Sequence, residues 1–268
     1  MTDVPLRGGT ANVGAVVRVG DTVRRPPHSS SEIVQAFLRH LWEAGVERVP
    51  EPLGFDDDGR EVLGYIPGEA AHPAFGPEGV MPSWAATDRT LVEIAVLQRE
   101  LHDAAATFSV PPGVIWNQAA GNYFPLSSRG SLVCHNDICV ANVVFERGNV
   151  VGLVDFDYLR PVDRLFDIAV AARHWVPLVP PTDLNQGMRH VDPVERFHLF
   201  CEAHELAANA RRAVIDIVIE FLELARLNVP YLAEQGVQGF IDLVEAGYDD
   251  HNRRAVDWLR LSARRLVS

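Results

Sequence analysis

Residues 133–158 read V-C-H-N-D-I-C-V-A-N-V-V-F-E-R-G-N-V-V-G-L-V-D-F-D-Y, and the rest of the chain arranges itself around them. His135, Asp137 and Asn142 stand at the spacing H-x-D-x-x-x-x-N, ahead of two β-rich runs and a closing Asp155. Val143-Val144-Phe145 and Val150-Val151-Gly152-Leu153-Val154 flank Glu146-Arg147-Gly148-Asn149, a turn signal, so the segment reads as a hairpin. Pairing Phe145 with Val150 sets Asn142 opposite Leu153, two residues short of Asp155. At about 3.3 Å per strand residue that gap is roughly 7 Å, which two short oxygen-bearing side chains bridge through one hard cation. Asp137 lies in the loop just before and can reach a hydroxyl. An Asp base, with an Asn and a second Asp for Mg²⁺, is the equipment of phosphoryl transfer. The spacing alone can arise by chance in a chain with ten His, and an Asp at a strand end is a common turn residue. The conjunction of loop, hairpin and second acid within one span carries the reading.

The chain has 268 residues, enough for two lobes with a substantial core, and 47% hydrophobic content fits a soluble globular protein. A formal net charge of −12 argues against nucleic acid and anionic membrane as main partners. Three Cys make a disulfide framework implausible and suit a reducing compartment. Cys134, His135, Asp137 and Cys139 lack a second ligand pair at zinc spacing. The N-terminus has no basic-then-apolar leader, and no uncharged apolar run reaches membrane-spanning length, so a cytoplasmic protein is expected.

Upstream, L-R-G-G-T-A-N-V-G at 6–14 is a Gly-rich turn before a strand at 15–19. Gly20-Asp21 turns the chain, and Thr22-Val23-Arg24-Arg25 returns it until Pro26-Pro27. Such a loop can set backbone N–H groups against phosphate, and Arg24 or Arg25 can supply a cation. Ser29 and Glu32 have capping-box spacing for a helix through Ala44, with Phe37, Leu38, Leu41 and Trp42 as its apolar stripe and Gly45 as its stop. A strand at 61–66 ends at Pro67-Gly68, which marks a boundary between a lobe at 1–66 and a larger one at 67–268.

Thr87-Asp88 starts a helix to about Ala106, with Leu91, Ile94, Ala95, Leu101, Ala105 and a core His102 on one face. Residues 111–130 are irregular, with Trp116, Tyr123 and Phe124 expected under the catalytic stretch. Asp167 is either the early-turn acid of a helix from Arg164 or a support for the catalytic loop. Asp192-Pro193-Val194-Glu195 opens another helix, and the remainder is helical in period, punctuated by Pro230 and Gly247.

These pieces together resemble the aminoglycoside phosphotransferase and choline kinase superfamily. The matching segments are L-R-G-G-T-A-N, V-V-R-V-G-D-T-V-R-R-P, G-R-E-V-L-G-Y-I-P-G-E, R-E-L-H, C-H-N-D-I-C-V-A-N-V-V-F, G-L-V-D-F-D and R-L-F-D-I-A, in the family's order across about 6–175. The resemblance implies an α+β, protein-kinase-like two-lobed fold and transfer of the γ-phosphate of ATP or GTP to a small molecule's hydroxyl. It implies Asp137 as the base and Asn142 and Asp155 as Mg²⁺ ligands. Gly64, Tyr65 and Ile66 become the inter-lobe linker facing the adenine. Arg24 falls where the family has a phosphate-pairing Lys, and Arg is not an equivalent substitute. The helix Glu that orients that Lys has no clear counterpart, since Glu32 falls early.

A catalytically weak or inactive nucleotide-binding protein with a regulatory role is therefore the alternative. A metal-dependent hydrolase lacks the expected His ligands. Glu195, Glu202, Glu205, Glu245, Asp249 and Asp250 in the helical tail suit an amino-bearing acceptor if they line a cleft, and otherwise read as solvated helix faces.

Overall fold

The computed structural model describes residues 3–6, 15–72, 79–117 and 129–268. Its first layer is an antiparallel five-stranded sheet in the order β1-β2-β3-β5-β4. The strands are β1 (Val4–Pro5), β2 (Val17–Val19), β3 (Thr22–Arg25), β4 (Pro52–Phe55) and β5 (Glu61–Gly64). β3 pairs with β5 so that Arg24 faces Val62 and Arg25 faces Glu61. Helix α1 (Ser31–Glu43) packs beneath, burying Ile33, Val34, Phe37, Leu38 and Leu41. Fully burying each of the larger side chains contributes about 1.5–3 kcal/mol, which is why this stripe fixes the helix to the sheet. The capping box does not form. Ser30 is the N-cap residue, and Ser31 Oγ instead accepts from His28 N at 2.9 Å. Glu32 is exposed. The Gly-rich turn at 7–14 lies outside the described residues, as do Tyr123 and Phe124.

The larger, mainly helical part holds α2 (Asp88–Ala105), α3 (Arg164–Trp175), α4 (Pro193–Ala203), α5 (Ala208–Glu234), α6 (Gln238–Glu245) and α7 (Tyr248–Val267). Thr87 caps α2 by accepting from Thr90 N, and Asp192 caps α4 by accepting from Val194 N and Glu195 N, as their sequence signals predict. Pro230 does not break α5. It lies four residues before the helix end, where losing one i→i−4 bond is offset by packing of the Val229 face.

Between these layers run four short strands: β6 (Leu132–Cys134) paired with β9 (Arg160–Val162), and the hairpin β7 (Val143–Glu146) and β8 (Asn149–Leu153). Arg147 and Gly148 at the hairpin tip both have positive φ, 51° and 77°, as a two-residue turn matching strand twist requires. The main buried apolar cluster runs from Leu38 and Leu41 to Phe145, Trp175 and Leu259, with a small second one around Val229 and Tyr248. The hairpin is also tied to the segment after β5: Glu69 N donates to Phe145 O at 2.9 Å, and Phe145 N donates to Glu69 O at 2.8 Å. Gly68, at φ 144°, permits that approach, since a Cβ there would fall 2.5 Å from Phe145 O.

Candidate active site

The loop that carries Asp137 leaves β6 through His135 and Asn136 and is held on both sides. Asn136 takes a left-handed conformation, φ 63°, which Asn tolerates better than most residues. Its Nδ2 donates to Cys134 O at 2.8 Å, Tyr158 O at 3.0 Å and Arg160 O at 3.3 Å, stitching the start of the loop to the chain returning through β9. Asn136 N donates to Asp167 Oδ1 at 2.6 Å. Asp167 Oδ2 meets Gln98 Nε2 and His102 Nε2, each at 2.7 Å. Buried Asp167 is thus the support for the loop as well as an early-turn acid of α3. Burial pushes its carboxyl up, but the His102 and Gln98 bonds outweigh this and hold it below the usual range. His102, Cys134 and Asp167 bring ligand-type atoms within 4.8 Å of one another. Because both Asp167 oxygens already accept bonds and burial pushes the Cys134 thiol well up, this cluster reads as a hydrogen-bonded brace.

His135 Nε2 lies 3.0 Å from Val154 O, and its Nδ1 accepts from Asp137 N at 3.1 Å. Those partners require the neutral ring protonated on Nε2, and burial lowers its pKa accordingly. Asp137 Oδ2 accepts from Asn142 Nδ2 at 2.9 Å, and Asn142 Nδ2 also bonds Asp137 O at 2.9 Å. Trp175 Nε1 donates to Ile138 O at 2.7 Å, fixing the loop against α3. Burial raises the Asp137 carboxyl above its usual range, partly opposed by His135 and Arg173.

The hairpin brings Asn142 nearer to Asp155 than simple pairing predicts. Phe145 does pair with Val150, but Val144 pairs with Gly152, so Val151 is an extra residue on β8. This bulge shifts the register by one: Val143 faces Leu153, and Val154 N donates to Asn142 O at 2.8 Å. Asp155 follows at once in a left-handed conformation, φ 66°, ahead of a 3₁₀ turn at Phe156–Tyr158. Strained non-glycine backbone at Asn136 and at Asp155 brackets the site. Asp155 Oδ1 is buried with no hydrogen-bond partner. Burial, reinforced by the Asp157 carboxylate, pushes the Asp155 carboxyl up to about 7. An orphaned buried carboxylate oxygen one residue past Asn142's strand partner fits a cation ligand by donor chemistry, since hard divalent cations take oxygen.

The cation nearest this acid is Arg25. Its side chain is 7% exposed, and Nη1 lies 2.6 Å from Asp157 Oδ1 and 3.9 Å from Asp155 Oδ1. Its Nε donates to Glu61 Oε2 at 2.7 Å. Fully buried Glu61 also accepts from Gln35 Nε2 at 3.1 Å and Ser31 Oγ at 3.3 Å. The acid orienting this arginine therefore comes from β5, with Gln35 of α1 behind it, while Glu32 takes no part. His28 Nε2 lies 3.1 Å from Asp157 Oδ1. Burial pushes the Asp157 carboxyl up, but the His28 bond and Arg25 outweigh this and hold it down to about 2. Arg24 is not brought to this group. Adjacent strand residues face opposite ways, and its Nη1 pairs with Asp56 Oδ2 at 3.0 Å, an acid shared with Arg60. The pairing of Arg25 with Glu61 across β3 and β5 was findable only with that register in hand.

At the linker, Gly64 N donates to Glu51 O at 2.8 Å and Tyr65 N to Asp21 O at 2.9 Å, so two of its three amides are spent inside the protein. The Arg18 guanidinium stacks on the Tyr65 ring at 3.8 Å. Ile66 lies over Gly152 of the hairpin, whose missing Cβ would meet Ile66 Cδ1 at 2.7 Å.

On the far side of Asp137 opens a cavity of about 480 Å³, walled by α3, α5, α6, α7 and the 3₁₀ turns at 181–188. Asp137 and Asp183 are its only carboxylates among the described residues. Glu195, Glu202, Glu205, Glu245, Asp249 and Asp250 are all exposed and outside it, so they are solvated helix faces.

With this geometry in hand, known proteins give a consistent picture. The model of the phosphotransferase enzyme family matches residues 4–198. The trifolitoxin immunity protein of Rhizobium leguminosarum bv. trifolii is 32% identical over 225 residues, covering 82% of this chain and 80% of that protein. Among solved structures, a choline/ethanolamine kinase family protein from Mesorhizobium loti superposes with a TM-score of 0.58 at 20% identity, over 97% of this chain and 93% of that one. An aminoglycoside phosphotransferase from Alicyclobacillus acidocaldarius superposes with a TM-score of 0.51 at 13% identity, over 93% and 90% of the two chains. No described helix is long and apolar enough to cross a membrane.

Proposed function

The chain belongs to the phosphotransferase enzyme family, and from that premise we propose that it moves the γ-phosphoryl group of ATP or GTP to a hydroxyl of a small molecule. The observation that supports this best is the convergence of Asp137, Asn142 and Asp155 within one braced loop-and-hairpin, with Asp155 Oδ1 buried and without a hydrogen-bond partner. Asp137 is the base. Asn142 holds its Oδ2, which leaves Oδ1 to accept the hydroxyl hydrogen and aim the oxygen at phosphorus. As the new O–P bond forms and the bond to the β–γ bridging oxygen breaks, the hydroxyl proton passes to Asp137. The raised carboxyl pKa suits that transfer. Asn142 and Asp155 would hold Mg²⁺, which supplies charge neutralisation at the phosphates when bound. Arg25, rather than Arg24, brings fixed positive charge to the same place, aimed by Glu61. The Ile66 N–H is the linker amide available to a purine, since Gly64 and Tyr65 spend theirs.

Asp137→Asn tests the assignment. The variant keeps its fold and its thermal shift with Mg-ATP or Mg-GTP, because the Asn142 bond survives the change, yet loses transfer to every acceptor the wild type accepts. Full activity in the variant sinks the base assignment. Absence of any shift with either nucleotide in the wild type favours a catalytically weak, regulatory protein. The acceptor screen for nucleotide consumption should span amino sugars, macrolides, choline-like alcohols and sugars. A relative named for immunity to trifolitoxin makes hydroxyl-bearing toxins one more class to include.

A further inference from the structure

The cavity beside Asp137 contains a cation, Arg173, that forms no direct ion pair among the described residues, although its field reaches the Asp137 carboxylate through the intervening His174. Arg173 of α3 lines it with its guanidinium 4.7 Å from the centroid of the Phe221 ring. Arg173 Nη2 faces His174 Nε2 at 2.7 Å, while Nε is buried with no hydrogen-bond partner among the described residues. No carboxylate among those residues forms an ion pair with it; His174, not Arg173, is the group 3.9 Å from Asp137 Oδ1. The cavity's other carboxylate is already neutralised: Asp183 Oδ2 lies 2.7 Å from Arg254 Nε and 3.5 Å from His251 Nδ1. Asn252, 3% exposed and also in the wall, keeps a buried Nδ2 donor without a partner. The rest is largely apolar, with Val170, Val218, Leu222, Phe240 and Leu243.

An ammonium group entering this space finds no free carboxylate except the base itself. A carboxylate finds a guanidinium with a buried unsatisfied Nε donor, and an unpaired amide donor, inside largely apolar walls, where charge-assisted bonds are strongest. Resting on the reading of this cavity as the acceptor side of a phosphotransferase, we infer that the acceptor is a hydroxyl compound with an apolar body and a carboxylate head held by Arg173. The hydroxyl faces Asp137 and takes the phosphoryl group; the carboxylate is unchanged by the reaction.

Three probes of one length separate the head groups: ω-hydroxydecanoate, decanediol and ω-aminodecanol, titrated calorimetrically into the full chain without nucleotide. The acid should bind at least about tenfold tighter than the diol, the ratio expected for one charge-assisted hydrogen bond. The amine should bind no better than the diol. Arg173→Met should erase the acid's advantage over the diol, and Arg173→Lys should keep part of it, since Lys retains the charge and loses the fork. An amine that binds as well as the acid overturns the inference. So does failure of all three to bind, or an acid preference that survives Arg173→Met. If Arg173→Met does not fold, the ranking on the wild-type protein still decides. A fall in kcat shared equally by all turned-over acceptors in that variant would put Arg173 on the transferred group, and also overturns the inference. Because the titration contains no nucleotide, failure of phosphoryl transfer in a separate assay counts against the activity and leaves the head-group ranking to stand or fall alone.

Discussion

Arg24 and Arg25 are neighbours on one strand with the same charge and opposite surroundings, so substituting each by Gln separates their roles. Arg25 is 7% exposed and sits among Glu61, Asp157 and Asp155, the first of them fully buried. Replacing both partners of a buried pair with apolar groups can be neutral, but removing one leaves the others uncompensated and costs about 3–5 kcal/mol. For a chain of this length that corresponds to a fall of roughly 6–20 °C in melting midpoint. Arg24 pairs with Asp56 at the sheet edge, 24% exposed, and Asp56 keeps Arg60 when Arg24 is lost. That loss should cost no more than about 1 kcal/mol. Differential scanning calorimetry of the two variants, followed by titration with Mg-ATP and Mg-GTP, reads both quantities. Arg25→Gln should melt well below wild type and bind nucleotide at least about tenfold more weakly, the loss expected when a charged partner of phosphate disappears. Arg24→Gln should differ little in either measurement. Loss of nucleotide binding in Arg24→Gln with retention in Arg25→Gln would refute the assignment and restore the position implied by family resemblance.

Asp167→Asn should destabilise the protein by about 3 kcal/mol, because three donors from Gln98, His102 and Asn136 converge on a buried charged acceptor that an amide cannot replace; a denaturant titration showing less than about 1 kcal/mol would contradict the brace. For Asp155 the native carboxyl, up at about 7, binds more proton than the unfolded one, whose value is near 4, so its contribution to stability falls as pH rises between the two. Asp155→Asn should therefore gain in melting midpoint over wild type on going from pH 5 to pH 8 in metal-free buffer, and an equal difference at both pH values would refute the shift.

The helix starts at Thr87 and Asp192, the tight hairpin, and the α+β division of the chain all follow from local chemistry, and the sequence exposes that chemistry directly. What it hides is set by contacts distant along the chain. Val151 looks like any other strand valine, yet it is the bulge that brings Asn142 level with Val154. Ser29 and Glu32 have the right spacing for a capping box, but Ser31 is drawn to Glu61 and His28, so the helix begins later. Glu61 is only the first residue of a predicted strand until β3 is laid beside β5 and sets it against Arg25. The sequence leaves the acids of the tail either lining a cleft or facing solvent; with the helices packed they all face outward, while Arg173 faces inward.

The pairing of β6 with β9 carries a consequence for how such a protein changes over time. Asp137, Asn142 and Asp155 all lie between those strands, on one continuous run of chain closed by its own ends and by the Asn136 amide. The proposed acceptor cavity borrows Asn136, Asp137, Val140 and Tyr158 from that run, but most of its wall comes from Met81, α3, the 181–188 turns, α5, α6 and α7. On the proposed function, the chemistry is thus inherited as one module, and most of the acceptor's fit as scattered single positions. On that proposal, substitutions on the helical side retune what enters without touching the run that carries Asp137, Asn142 and Asp155.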